Sequence, residues 1–164
     1  MRVRIVVADQ SEARFYDTGS LAAALQLTGT LTDPKAHLHE RDLVSDRPGR
    51  VFDHAVPPAG RRGAVAHHST GSERSARAHA AVSFARQVAQ ALEVATREHH
   101  VDRIVLMAAP AFLGLLREAL PRAVKKVLVA EVHKDLVHQS DEVVREHLPR
   151  EAFKELTSRA RAAR

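Results

Sequence analysis

Four arginines on one glycine-rich stretch of the chain have the chemistry to bind a phosphate group. The arginines are Arg47, Arg50, Arg61 and Arg62, and Gly49, Gly60 and Gly63 lie beside them. Glycine lets backbone N–H groups approach an anion, and a guanidinium binds phosphate through two parallel hydrogen bonds. We therefore predict an anion or RNA-backbone site here, with Lys134, a cation after the last predicted strand, as a further contact. The alternative is a solvated basic loop that binds nothing.

Two aspartates suggest a different chemistry, that of a Mg²⁺-dependent hydrolase. Asp9 follows the first predicted strand and Asp135 follows the last one. Two-metal hydrolysis needs several carboxylates around ions about 4 Å apart, and two carboxylates are few for that purpose. Asp102 and Glu131 are the other candidate partners of Asp9, but Asp102 begins its strand, so parallel pairing would place it at the opposite edge of the sheet from Asp9. The alternative roles are a turn cap for Asp9 and a helix cap or ion pair for Asp135.

Histidine is abundant, but its spacing does not match a known metal motif. The chain has 11 His and no Cys, which excludes disulfides and any zinc or iron–sulfur site that uses thiolates. His67 and His68 could bind a metal together with His54 or His79, yet no pair at i and i+4 accompanies a glutamate as in zinc hydrolases. We predict no metal and no cofactor, and we favour a protein without enzymatic activity.

Hydrophobic periodicity predicts the elements that must position these residues. The predicted strands are 2–8, 12–18, 23–31, 102–109 and 126–133, and the predicted helices are 35–45, 72–98, 110–120, about two turns from Ser140, and 150–163. The longest helix has its apolar residues three and four positions apart: Ala81, Phe84, Ala85, Val88, Leu92 and Ala95. Residues 46–72 show no period and are predicted to be a long irregular loop.

The order of these elements predicts the fold class. A hairpin of strands that continues into alternating helices and strands is typical of a mixed β-sheet flanked by helices, as in ribonuclease-H-like α/β folds. The right-handed crossover rule places the long helix on one face of that sheet. We expect a single α/β domain over residues 1–164, with the basic loop 46–72 as an excursion from it.

Composition narrows the function classes. The 164 residues are 45% hydrophobic and 27% charged, with a net charge of +5, which permits contact with nucleic acid without demanding it. Aromatic residues make up only 4%, which disfavours a platform that stacks unpaired bases. No apolar run approaches the roughly 20 residues of a membrane span, and the first residues do not look like a signal peptide. We expect a cytoplasmic protein without membrane insertion.

Several segments, taken together and in order, resemble the host attachment protein family, bacterial proteins described as required for attachment to host cells. The segments are Asp9 with Ala13–Phe15, Arg47–Asp53, Gly60–Arg62, Ala109–Arg117 and Lys134–Leu136. That family looks like a divergent relative of the middle domain of archaeal and eukaryotic peptide release factors and of the ribosome-rescue protein Pelota. The resemblance implies a ribonuclease-H-like fold and contact with RNA or the ribosome, and therefore a relation to translation.

One feature of release factors is missing from this chain. They use a Gly-Gly-Gln tripeptide to place a water on the peptidyl ester, whereas this chain has no Gly-Gly pair, and none of its Gln residues follows a Gly. We therefore expect a binding domain that contacts RNA or the ribosome through its basic loop. The alternatives are the hydrolase with Asp9 and Asp135, and an adaptor in attachment or biofilm regulation that binds a protein partner through its C-terminal helix. The sequence leaves the oligomeric state open.

Overall fold

A computed structural model describes residues 1–33, 69–98 and 101–154, with side chains of the first helix described from residue 76 onward. The elements in chain order are β1 Val3–Ala8, β2 Glu12–Thr18, β3 Gln26–Thr32, α1 Ser69–Glu98, β4 Arg103–Ala108, α2 Pro110–Ala119, α3 Arg122–Val127, β5 Leu128–Val132 and α4 Asp141–Glu146. A 3₁₀ turn, Arg150–Phe153, follows α4. Within these residues no helix is long and apolar enough to cross a membrane.

The strands of the described residues form one mixed sheet in the order β3-β2-β1-β4-β5. β1 pairs antiparallel with β2 and parallel with β4, and β4 pairs parallel with β5. The short connection from β1 to β2 makes the expected antiparallel hairpin. This arrangement confirms the predicted α/β fold of ribonuclease-H-like type, with its sheet flanked by helices.

Both faces of the central strands are covered, as their unbroken apolar runs predict. All residues of β1 and β4 are buried. Val6 and Ala8 face one core, which α1, α2 and α3 cover, whereas Val3 and Ile5 face a second core. The second core is closed by residues from the C-terminal segment: Leu136, Val137, Val144, Leu148 and Ala152.

The long helix confirms the predicted apolar stripe. Its members Ala81, Phe84, Ala85, Val88, Leu92 and Ala95 are all buried. The ring of Phe84 stacks near that of Phe112 of α2, with centroids 6.0 Å apart. The helix already includes Ser69 and Thr70, so its start is three residues earlier than predicted and the last residues of the predicted loop are helical.

The predicted strand 126–133 is wrong at its beginning. Residues Arg122–Val127 form α3, and the strand begins only at Leu128. Pro121 leads into a helical turn in which the N–H of Lys125 donates to the Pro121 carbonyl at 3.1 Å, and Val124 is fully buried in the first core. Burial of Val124 on this helical turn therefore outweighs the strand-like alternation of apolar residues that begins at Lys126. The third strand likewise begins at Gln26, three residues later than predicted.

The predicted helix 150–163 does not begin as an α-helix. Residues 150–153 form a 3₁₀ turn, and Lys154 is extended, with φ −66° and ψ 131°. The guanidinium of Arg103 donates to the Ala152 carbonyl at 2.8 Å, which an α-helix would use for its own next turn. The remainder of that helix, like the helix predicted at 35–45, lies outside the described residues.

Candidate functional site

The carboxyl ends of β1, β4 and β5 bring together the residues that the sequence singled out at strand ends. Ala8 of β1 is paired with Ala108 of β4, so Asp9 and Ala109 leave the sheet side by side. β5 lies next to β4, and Lys134 and Asp135 follow it at the same edge. Ligands of open α/β sheets bind preferentially at this edge.

Asp9 caps the turn of the first hairpin. Its Oδ1 accepts hydrogen bonds from the N–H groups of Ser11 and Glu12, each at 2.7 Å, and from the Ser11 hydroxyl at 2.8 Å. Burial raises the pKa of Asp9, but these donors together with His138 outweigh it and hold the pKa below its ordinary value. The other oxygen, Oδ2, lies 3.5 Å from Nε2 of the exposed His138. Asp9 is therefore an ionised carboxylate whose contacts come from its own turn and one histidine.

Asp135 lies at the same edge as Asp9 but is exposed. Its Oδ1 accepts only a long hydrogen bond, 3.4 Å, from the N–H of Val137. In the part of the chain that the structure describes, no group of three or more His, Asp or Glu is close enough to hold a metal ion. Asp102 lies at the opposite edge, as parallel pairing requires, where its Oδ2 accepts from the N–H of Arg2 at 2.6 Å.

An arginine and a glutamate connect α2 with the edge strand β5. The guanidinium of Arg117 forms an ion pair with the carboxylate of Glu131. Its Nε lies 2.9 Å from Oε1 and 2.8 Å from Oε2, and its Nη2 also donates to Oε2. Hydrogen bonding to Arg117 lowers the pKa of Glu131, and charge attraction from Arg117 and His133 adds to this effect. Sequence patterns did not single out this pair, because its members are 14 positions apart on different elements.

The cation predicted at Lys134 has a histidine as its neighbour. Its Nζ lies 2.8 Å from Nε2 of His147, while Nδ1 of that ring lies 2.8 Å from the Val143 carbonyl. Since the carbonyl can only accept, Nδ1 carries the proton, and Nε2 accepts from the ammonium. Lys134 is exposed, so its remaining donors face solvent.

The four predicted loop arginines, Arg47, Arg50, Arg61 and Arg62, lie outside the described residues. A second group of cations, which the sequence reading missed, lies on α3. Arg122, Lys125 and Lys126 are all exposed, and we call these three side chains the α3 basic face. Their spacing of i, i+3 and i+4 after Pro121 was the available signal, but the apolar residues from Val127 onward favoured a strand.

The fold is similar to that of a known translation protein. The crystal structure of an archaeal translation termination factor matches 93% of this chain with a TM-score of 0.50 and 11% sequence identity. The match covers 36% of the termination factor, so the chain spans about a third of that protein. This likeness shows a shared fold. A search among curated proteins found no match.

A sequence profile shows the family. The profile described as "Protein required for attachment to host cells" matches residues 4–148, from within β1 to just beyond α4. The match extends over nearly the whole chain and includes the strand ends described above. The protein therefore belongs to the host attachment family.

Proposed function

We propose that this protein is a non-enzymatic binding protein that contacts RNA or the ribosome through the cations of its basic loop. The observation that carries the proposal is the fold shared with a translation termination factor over 93% of the chain. A net charge of +5 provides the electrostatic attraction that phosphate backbones require.

The carboxyl edge of the sheet supports a binding role better than hydrolysis. One oxygen of Asp9 already has three donors from its own turn, and Asp135 is exposed with a single long hydrogen bond. A Mg²⁺ ion at this edge would be left with the other oxygen of Asp9, Oδ2, which lies 3.5 Å from Nε2 of His138, and with the exposed Asp135. Calorimetric titration of Mg²⁺ into the protein tests the hydrolase hypothesis, and a stoichiometric Mg²⁺ site that Asp9→Asn abolishes would favour hydrolysis over the proposal.

The proposed function is tested with purified ribosomes in co-sedimentation and with a fluorescein-labelled RNA hairpin in anisotropy titrations. The affinity should fall with salt, and Arg61→Ala with Arg62→Ala should lower the slope of log K against log salt by about 2. The matched control is Arg86→Ala with Arg150→Ala, which removes two exposed cations elsewhere on the surface. Full affinity and an unchanged slope in the loop variant would overturn the proposal.

A further inference from the structure

We propose that the α3 basic face is a second RNA-backbone contact, separate from the basic loop. The inference rests on the proposed function and extends it, because it assigns phosphate binding to α3, the short helix between α2 and β5. Arg122, Lys125 and Lys126 would each pair with a phosphate oxygen of the same RNA.

The first argument is that these cations have no hydrogen-bond or ion-pair partner among the described residues. Most Arg and Lys side chains of the described residues have a polar or charged contact, and the ones without such a contact are Arg86, Arg122, Lys125, Lys126, Arg150 and Lys154. Half of that group belongs to one six-residue helix. Unpartnered positive charge on the described surface is therefore concentrated at α3.

The second argument is the geometry of α3. Lys125 and Lys126 follow Arg122 by three and four positions, so all three side chains project from the same side of the helical turn. Like charges at this spacing repel each other and destabilise an isolated helix, and only Lys125 and Lys126 lie in the last turn, where the helix dipole favours cations. The helix therefore holds three mutually repelling cations together, which is the arrangement that a polyanion relieves.

The third argument is that the backbone under these cations is held in place. Val124, between them in sequence, is fully buried in the first core. The N–H of Lys125 donates to the Pro121 carbonyl, and that of Leu128 donates to the Val124 carbonyl. A surface whose backbone is already ordered loses less entropy on binding than a mobile one.

The chemistry of the face favours RNA over a protein partner. Protein interfaces depend on buried aromatic or large apolar anchors, whereas phosphate contacts need only cations placed along a backbone. The residues of α3 other than the cations are Ala123, which is exposed, and Val124 and Val127, which pack toward the core. Val129 of β5 is 42% exposed, but one valine is much smaller than such an anchor.

The test compares three variants, of which the first two each lose three positive charges, with the wild-type full chain in anisotropy titrations of the labelled RNA hairpin over a range of salt. The test variant is Arg122→Gln, Lys125→Gln and Lys126→Gln. The control variant, Arg86→Gln, Arg150→Gln and Lys154→Gln, removes three exposed cations that also have no polar partner among the described residues, one on α1 and two at the 3₁₀ turn. The third variant replaces Arg47, Arg50, Arg61 and Arg62 with Gln and tests the basic loop.

The expected result is that the α3 variant lowers the salt slope by about 3, whereas the control variant leaves it near the wild-type value. The loss of affinity between about 50 and 200 mM salt would then shrink by about 60-fold relative to wild type. Because the side chains substituted in the α3 and control variants make no hydrogen bond or ion pair with a described residue, thermal melting of these two variants should be unchanged or slightly raised. That measurement verifies that each variant is folded.

Each other outcome has a defined meaning. If the α3 and control variants behave alike while the loop variant loses affinity, the α3 inference is wrong and the proposed function stands. If the α3 variant loses affinity and the loop variant does not, the α3 face binds RNA as inferred and the proposed function, which assigns binding to the basic loop, is wrong. If the wild-type protein binds neither the hairpin nor ribosomes, both are wrong. If the α3 variant loses binding to polyglutamate as strongly as to RNA, the face is a general anion surface and its assignment to RNA is wrong.

Discussion

The guanidinium of Arg103, at the start of β4, donates a hydrogen bond to the backbone carbonyl of Ala152, 49 positions later in the chain and 2.8 Å away. A second, longer contact of 3.5 Å reaches the Glu151 carbonyl. Arg103 is only 6% exposed. Carbonyl groups of the 3₁₀ turn accept hydrogen bonds from its guanidinium, so the arginine holds the C-terminal segment against the second core.

Replacing this arginine should loosen the C-terminal segment. Arg103→Met keeps most of the apolar volume but leaves the Ala152 carbonyl without its donor, and we expect a loss of about 1–3 kcal/mol in the free energy of unfolding. Urea denaturation measures the loss, and hydrogen exchange of residues 150–154 should accelerate. Arg150→Met, an exposed arginine on the same turn, is the control and should change neither quantity appreciably.

The turn cap at Asp9 predicts a difference between two substitutions. Asp9→Ala removes the acceptor for the N–H groups of Ser11 and Glu12 and should cost about 1–3 kcal/mol in urea denaturation. Asp9→Asn retains an oxygen that can accept these bonds and should cost clearly less. Equal destabilisation by both substitutions would show that the negative charge matters more than the cap.

The Arg117–Glu131 pair predicts how stability depends on pH. The pKa of Glu131 is below its ordinary value of 4.5 in the folded protein. The pair therefore stabilises the fold fully above that ordinary value, and its contribution is lost as the pH falls through the lowered folded-state pKa. The difference in the free energy of unfolding between wild type and Glu131→Gln should be largest at neutral pH and shrink below about 4.5. Glu118→Gln, an exposed glutamate on α2, should show a much flatter difference.

The stacked phenylalanines should contribute strongly to the first core. Phe84 is fully buried between α1 and α2, so Phe84→Ala should cost about 3–5 kcal/mol through lost burial and the cavity left behind. Thermal and urea unfolding measure this effect. Val94→Ala on the same helix is the control, because Val94 is 44% exposed and its truncation should cost less than about 0.5 kcal/mol.

Local patterns were sufficient for the elements whose burial is regular. Buried strands are predicted by the apolar runs of β1 and β4, and an amphipathic helix is predicted by the apolar stripe from Ala81 to Ala95. Both predictions succeed because the spacing of apolar residues along the chain matches the period of the element. Asp9 was also recognised as either a turn cap or a ligand from its position after a strand. The choice between these roles needed the donors at Ser11 and Glu12, which only the coordinates place.

Patterns failed where tertiary contacts outweighed local preference. A strand starting at Lys126 agrees with the alternation of its residues, but burial of Val124 against the first core makes the preceding residues helical. The predicted helix after Pro149 becomes a 3₁₀ turn at the point where a distant arginine uses its carbonyls. Neither the burial of Val124 nor the hydrogen bond from Arg103 can be predicted from a short stretch of sequence, since the contacting residues lie on other elements.

The amino-acid sequence by itself determined the fold class and the family, because both depend on the order of periodic segments and short motifs along the chain. It also shows that the given sequence contains no Gly-Gly-Gln tripeptide. Only the tertiary structure decided which charges are neutralised: Glu131 by Arg117, and Asp17 by Arg4 at 2.7 Å. Only the tertiary structure also showed that Arg122, Lys125 and Lys126 lie together without a polar partner in the part of the chain that it describes. The reason is physical, since charge pairing depends on distance in space, and residues far apart in the chain become neighbours only when the sheet and its helices have packed.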